Sequence, residues 1–309
     1  EYDNRQPEFF EKTDIYIGKR ANQRAVRQAI LLLRENQKIF DKVEKEFNVN
    51  KEILLALWST ETNFGKNLGK MDIISSLATL SFDKRRSTYF TKELLTLLKL
   101  LDSNIIKKDT LYGSWAGAVG NFQFMPSSIS RHAIDYDNDG YIDLKQSKAD
   151  AIGSAANYLN KIGWKKNTAC FDKIAFSADV NSKYFNHSAR NISSKKKISD
   201  WEKLGINFID GDKKKINYLA ALVLPDGDVS SPKFLVYENY EIILQWNRSL
   251  RFALSVSIPL SFQFPIPIPK IGFDIPVIID CFQYLNLELF DASSRFVTVS
   301  NRPAKSDCF

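Results

Sequence analysis

Apolar residues in the first half of the chain recur at the three- and four-residue spacing of helices that bury one face. Val26, Ile30, Leu33, Phe40, Val43 and Phe47 share one side of Arg24–Phe47, which predicts one long amphipathic helix ended by Asn48–Val49–Asn50. Asn50 is placed to cap a second helix running from Lys51 toward Gly65, and Gly69 punctuates the loop behind it. Three more helical patterns cover Ile73–Leu80, Tyr89–Leu101 and Ala149–Ile162, the last entered at Asp150 and closed by Gly163.

After Trp164 the pattern changes. Short apolar runs, Ile206–Ile209 and Ile216–Leu224, alternate with the turn signals Asp210–Gly211 and Asp226–Gly227, so residues 165–231 predict a small β-containing insert. Helical periodicity returns over Tyr237–Val256, and residues 232–256 are expected to rejoin the first domain as a helix. From Ser257 onward, Pro259, Pro265, Pro267, Pro269 and Pro276 stand among apolar and aromatic residues. Prolines at that density exclude a membrane-spanning helix, and residues 257–309 read as a poorly specified apolar tail. The fold class is therefore α+β, mainly α, with residues 1–164 as the principal helical domain.

Composition narrows the chemistry. With 309 residues and 44% hydrophobic content the chain can bury a full core as one large or two modest domains. It opens at Glu1 with no apolar signal segment, which reads as a processed or trimmed form. The net charge of +7, with Lys clusters at Lys165–Lys166, Lys195–Lys197 and Lys213–Lys215, favours either an anionic partner or simply solvated Lys faces. Cys170, Cys281 and Cys308 are too scattered for a disulfide framework or metal knuckle, and two histidines, His132 and His187, leave little scope for His-based catalysis or zinc. Carboxylates, hydroxyls and backbone groups remain to carry a reaction. No motif that reads nucleic acid accompanies the lysines, so a nucleic-acid partner is not expected.

Three stretches carry candidate chemistry. In Lys51–Gly65, KEILLALWSTETNFG, Leu54, Leu57, Trp58 and Glu61 lie on one helical stripe. Burial there raises a carboxyl toward the range of a general acid near neutrality; the alternative is a Glu61 solvated at the stripe's margin. Gly113–Ser128, GSWAGAVGNFQFMPSS, is a small-residue loop that lets a ligand approach backbone, ahead of a helix started by Pro126. Ser114 and Gln123 offer hydrogen bonds, and Trp115, Phe122 and Phe124 offer apolar platforms. Asp135–Gln146, DYDNDGYIDLKQ, has the spacing of a calcium loop, with Asp135, Asp137, Asp139, the Tyr141 carbonyl and Asp143 as ligands. Gln146 stands where a bidentate Glu is usual, which weakens affinity, and an Asx-rich turn without metal is the alternative.

These blocks occur in a familiar order. WSTETNFG, SLATLSFD, GSWAGAVGNFQFMPSS, the DxDxDG loop and DAIGSAANYLNKIGW, with RQPEF early and LPDG, FLVYENYEII and WNRS late, resemble lytic murein transglycosylases of the B type over about residues 1–256. The resemblance implies a lysozyme-like helical domain with a small β-containing insert. It further implies a periplasmic enzyme, monomeric and sometimes membrane-attached through a removed N-terminal segment. Such an enzyme acts on peptidoglycan glycan strands and leaves 1,6-anhydro-MurNAc ends, with no cofactor required and calcium as a structural ion. By motif position Glu61 matches the catalytic acid and base, Ser114, Gln123, Phe124 and Asn247 the substrate-contacting positions, and Asp135, Asp137 and Asp139 the cation loop. In QWNRSLRF, Trp246 and Phe252 stand where many members carry Tyr, so hydroxyls are lost there. A hydrolysing muramidase and a non-catalytic wall-binding scaffold are the alternatives.

Overall fold

Asn36 divides the first long helical pattern in two. In the computed structural model, which describes residues 10–107, 111–209 and 218–261, α1 (Thr13–Arg20) is followed by α2 (Gln23–Glu35) and α3 (Gln37–Phe47). The Asn36 side-chain amide donates to Leu32 O at 2.8 Å, the carbonyl its own backbone N–H also reaches, and such local competition favours a break. The RQPEF block, the Asp210–Gly211 turn, Lys213–Lys215, Cys281, Cys308 and the chain from residue 262 lie outside the described residues.

Asn48 turns left-handed at φ 54° to end α3, and α4 (Lys51–Thr62) follows. Asn50 holds the N-cap position without a side-chain cap bond. Its Oδ1 accepts instead from Trp164 Nε1 at 3.2 Å and Asn167 N at 3.3 Å, anchoring the start of α4. Ile53, Leu54, Leu55, Leu57 and Trp58 are all buried, so α4 is apolar nearly all round, as a helix at the centre of a core must be. It ends at Asn63, left-handed at φ 49°, slightly before the expected Gly65.

Around α4 the chain lays down β1 (Met71–Asp72), α5 (Ile73–Phe82), α6 (Ser87–Asp102), β2 (Tyr112–Gly113), α7 (Pro126–His132) and α8 (Lys148–Lys161). β1 and β2 pair antiparallel, which brings Gly69 against Gly113: a Cβ on Gly69 would lie 2.0 Å from the Gly113 carbonyl oxygen. The loop after α4 is thereby pressed onto the strand that opens the glycine-rich segment.

A five-stranded antiparallel sheet follows, from β3 (Phe171–Phe176), β4 (Lys196–Lys197), β5 (Ile206–Phe208), β6 (Leu219–Val223) and β7 (Lys233–Val236), in the order β4-β6-β7-β3-β5. The helix α9 (Ile198–Lys203) lies between β4 and β5 in sequence. Alternate residues of the central strands enter different cores: Ala221, Val223, Phe234 and Val236 join the large helical core, while Ala220, Leu222 and Leu235 pack with Trp201 of α9. Period-two alternation with both faces covered explains why β6 is a continuous apolar run. One sheet face is thus part of the main core.

Two boundaries differ from the sequence reading. The sheet extends through β7 to Val236, and residues 237–261 form two helices, α10 (Glu238–Trp246) and α11 (Leu250–Ser261). Asn247 is extended at φ −140°, and Ser249 Oγ then accepts from Phe252 N at 3.2 Å to start α11. α11 continues past Val256 to Ser261, and Ser257 is buried with its Oγ donating to Ala253 O at 2.6 Å within the helix.

Candidate active site

Glu61 stands in the last turn of α4, half-buried, at the margin of the apolar stripe that buries Leu54, Leu57 and Trp58. Helix ends are where a side chain passes from core to surface, so full burial is not reached. Its Oε1 accepts from the Trp246 indole Nε1 at 2.9 Å. α10 brings Trp246 there from 185 residues away, as the last residue before the extended Asn247.

The glycine-rich loop is fixed to the same turn of α4. Trp58 Nε1 donates to Asn121 Oδ1 at 2.8 Å, and Thr62 Oγ1 donates to Asn121 O at 2.8 Å. Asn121 Nδ2 in turn donates to the carbonyls of Leu144 and Lys145, both at 3.0 Å, which joins this loop to the acidic one. Gly120, at φ 77°, admits no side chain: a Cβ would sit 2.5 Å from Leu144 O.

Ser114 and Gln123 are both half-buried on this loop. Ser114 Oγ accepts from Ala118 N at 3.0 Å, and its hydroxyl hydrogen keeps its donor capacity. Gln123 adopts a left-handed φ of 49°, and its Nε2 donates to Gly120 O at 3.0 Å and reaches Leu68 O at 3.5 Å. The amide is therefore held over the loop that follows Glu61. Asn247, half-buried, follows Trp246 directly.

Phe124 departs from its expected role. At 2% exposure it presents no face to a ligand; its ring meets Trp246 edge-on at 5.4 Å and Tyr158 at 5.7 Å. Phe122 is equally buried, stacked on Trp58 and edge-on to Trp246. Both rings back the wall of the site because the tight Val119–Phe124 bridge turns them inward. Tyr158, on α8, stacks on Trp246 at 4.7 Å. Burial pushes the Tyr158 phenol above its ordinary range, so it stays neutral.

Three of the acidic loop's expected carboxylate ligands come together. Asp135, Asp137 and Asp139 each offer a carboxylate oxygen within 4.8 Å of the others. A calcium ion bound at roughly 2.4 Å separates opposed ligands by about that distance, so the three carboxylates fit a divalent cation. Asp143 is used otherwise: its Oδ1 accepts from Lys145 N at 2.9 Å and Gln146 N at 2.8 Å. The Tyr141 backbone N–H donates to Asp139 Oδ1 at 2.9 Å within the same turn.

Sequence reading missed the group that shapes this loop. Asp150, fully buried at the start of α8, accepts from Tyr136 N at 2.7 Å and Asp143 N at 2.8 Å. Burial raises its carboxyl, against the lowering pull of those amides. The signal available was its place in the first turn of a helix after a serine; Asn121, amid apolar residues, offered none.

Over 155 residues the chain is 37% identical to the membrane-bound lytic murein transglycosylase B of Escherichia coli K12, a match that takes in 50% of this chain and 42% of that protein. The chain thus spans less than half the length of that relative. It is similar to the structure of SltB3 from Pseudomonas aeruginosa in complex with NAG-NAM-pentapeptide, with a TM-score of 0.75 and 31% identity over 84% of this chain and 68% of that one. It is also similar to the Escherichia coli lytic transglycosylase Slt35 in complex with calcium, with a TM-score of 0.68 and 26% identity over 84% of this chain and 79% of that one. Residues 1–258, which hold Glu61, the glycine-rich loop, the acidic loop and Trp246, match the family described as Transglycosylase SLT domain, and the chain belongs to that family.

Proposed function

We propose that this chain is a peptidoglycan lytic transglycosylase that cleaves the β-1,4 bond between MurNAc and GlcNAc, with Glu61 acting first as acid and then as base. Glu61 protonates the glycosidic oxygen as the bond from MurNAc C1 breaks. The resulting carboxylate takes the proton of the MurNAc C6 hydroxyl, whose oxygen bonds to C1 and closes the 1,6-anhydro ring. The proton returns to Glu61, and no water is consumed.

One observation carries the reading: Glu61 is the only carboxylate on the segments that build the site. Ser59–Gly65 holds no other, and Gly113–Ser128 and Gln245–Arg251 hold none. Hydrolysis in the usual manner needs two carboxyl groups flanking the bond. An attacking hydroxyl tethered in the substrate needs one, because high effective molarity replaces a bound water. Among the relatives, SltB3 was solved both with NAG-NAM-pentapeptide and with NAG-anhNAM-pentapeptide, which supports an anhydro product.

In this reading Ser114, Gln123 and Asn247 hydrogen-bond the sugar substituents, and the helices of residues 1–164 with α10 and α11 form the catalytic unit. Asp135, Asp137 and Asp139 hold a structural calcium, supported by the calcium complex of Slt35. The protein works in the periplasm on glycan strands. No helix of the described residues is long and apolar enough to cross a membrane.

The test is digestion of purified sacculi followed by mass analysis of the released ends. Anhydro ends are expected from the unaltered chain, and Glu61→Gln is expected to lose about 100- to 10,000-fold in rate, or more where one group serves both steps. Reducing ends in place of anhydro ends support the muramidase reading, and a Glu61→Gln variant near the original rate overturns the assignment of Glu61.

A further inference from the structure

Trp246 is placed to act on the reaction through Glu61. Its indole Nε1 lies 2.9 Å from Glu61 Oε1, and an indole N–H can only donate. Stacking fixes where that N–H points. Tyr158 stacks on the indole at 4.7 Å with planes 25° apart, and His132 stacks on Tyr158 at 4.1 Å with planes 6° apart. Phe122 and Phe124 both meet the indole edge-on at 72°. A ring gripped on its face and its edges cannot rotate its N–H away without repacking buried aromatic neighbours.

We propose that Trp246 is a positioning residue that keeps Glu61 Oε1 as a permanent hydrogen-bond acceptor, so that Oε2 carries the proton to the glycosidic oxygen and back from the C6 hydroxyl. This inference rests on the acid–base role of Glu61 proposed above. In a carboxylic acid the carbonyl oxygen is the stronger acceptor, and a donor-only partner on Oε1 therefore selects the tautomer protonated on Oε2. A tyrosine hydroxyl, which donates and accepts, imposes no such selection. As Glu61 gives up its proton, charge develops on the carboxylate and the bond from Nε1 becomes charge-assisted and shorter. An interaction that strengthens toward the transition state raises kcat rather than tightening substrate binding.

The experiment compares five proteins on sacculi: the unaltered chain, Trp246→Phe, the full chain carrying benzothienylalanine at position 246, Glu61→Gln, and the double variant Trp246→Phe/Glu61→Gln. Benzothienylalanine replaces the N–H by sulfur and keeps the bicyclic shape, so it decides the matter if Trp246→Phe does not fold. Both changes at position 246 are expected to lower kcat about 10- to 100-fold with KM within about 3-fold, the loss of one hydrogen bond to a charged group. Trp246→Phe added to Glu61→Gln is expected to leave the residual rate within about 2-fold, because a residue acting through Glu61 has no effect without it. A benzothienylalanine protein with unchanged kcat overturns the inference while Glu61→Gln, still inactive, upholds the reading beneath it. A Glu61→Gln protein with the original rate overturns both.

Discussion

Trp58 Nε1 and Asn121 Oδ1 are 2.8 Å apart inside the core, and this bond ties the turn of α4 that carries Glu61 to the glycine-rich loop. Asn121 also donates to Leu144 and Lys145, so a single amide connects the catalytic helix, the loop of Ser114 and Gln123, and the end of the acidic loop. Asn121→Ala leaves the indole N–H and two carbonyls without this partner. A destabilisation of about 2 to 4 kcal/mol is expected, measurable by denaturant unfolding, because each buried group left unsatisfied costs about 1 to 3 kcal/mol. Loss of activity is expected to exceed what the unfolded fraction accounts for, since Gln123 shifts with the loop.

A second link holds the two ends of the described chain together. Asp226 accepts from Thr13 N at 3.1 Å and from Arg251 at 2.7 Å, joining α1, the turn after β6 and α11. Burial pushes the Asp226 carboxyl up, but donation from the Thr13 hydroxyl and amide and from Arg251 outweighs it and holds the group below the usual range. A carboxyl depressed by folding contributes stability that is present above its unfolded value of about 3.9 and is lost as pH falls through the folded value. Asp226→Asn is expected to cost about 1 to 3 kcal/mol at neutral pH, the scale for losing hydrogen bonds to a charged, part-buried group. Unfolding curves of the two proteins are expected to converge at acid pH below the folded value.

What sequence could reveal depended on how locally each feature was encoded. α4, α5, α6 and α8 were legible because their apolar residues repeat at helical spacing, although α8 begins at Lys148 behind the cap Ser147 and not at Asp150. Asn36 hid the break between α2 and α3, since the apolar stripe continues in phase across it. β7 runs directly into the helical pattern that begins at Tyr237 and was not separated from it, and Pro259 suggested an end that α11 passes. Among site residues, Glu61, Ser114 and Gln123 fell within recognisable blocks. Phe124, expected as a platform from its place in the small-residue loop, is buried, because motif position does not say which way a ring in a tight loop turns. Trp246 was read as a lost hydroxyl, and its indole donor emerges only when residues far apart in sequence are brought together.

The acidic loop is expected to respond to calcium. Gln146 leaves the three aspartates without the bidentate ligand that completes such loops, so affinity is low. Gln146→Glu is expected to raise the melting temperature in added calcium and not in chelator, because binding to the folded state stabilises it by about 1.4 kcal/mol for each tenfold of free calcium above Kd. Asp137→Ala is expected to abolish the response, even though Asp137 also accepts from Ser147 Oγ at 2.6 Å. A calcium-independent melting temperature in both the unaltered chain and Gln146→Glu would refute cation binding at this loop.

The C-terminal limit of the helical unit follows from α11. This helix packs against α4 and α1, and Ala253, Leu254 and Val256 are fully buried on it. Ser257 continues that buried face, and Ile258 packs on the main core. A chain ended after Val256 removes these residues and exposes the last turn of α11 to fraying, because its final carbonyls lose their partners. A chain ended after Ser261 keeps the whole helix. The shorter chain is therefore expected to be less stable than the longer by about 2 kcal/mol, the loss of most of one buried aliphatic side chain together with a buried hydroxyl bond. Thermal unfolding of the two truncations side by side checks this. Equal melting temperatures would show that residues 257–261 contribute nothing to the fold, and the boundary would then return to Val256.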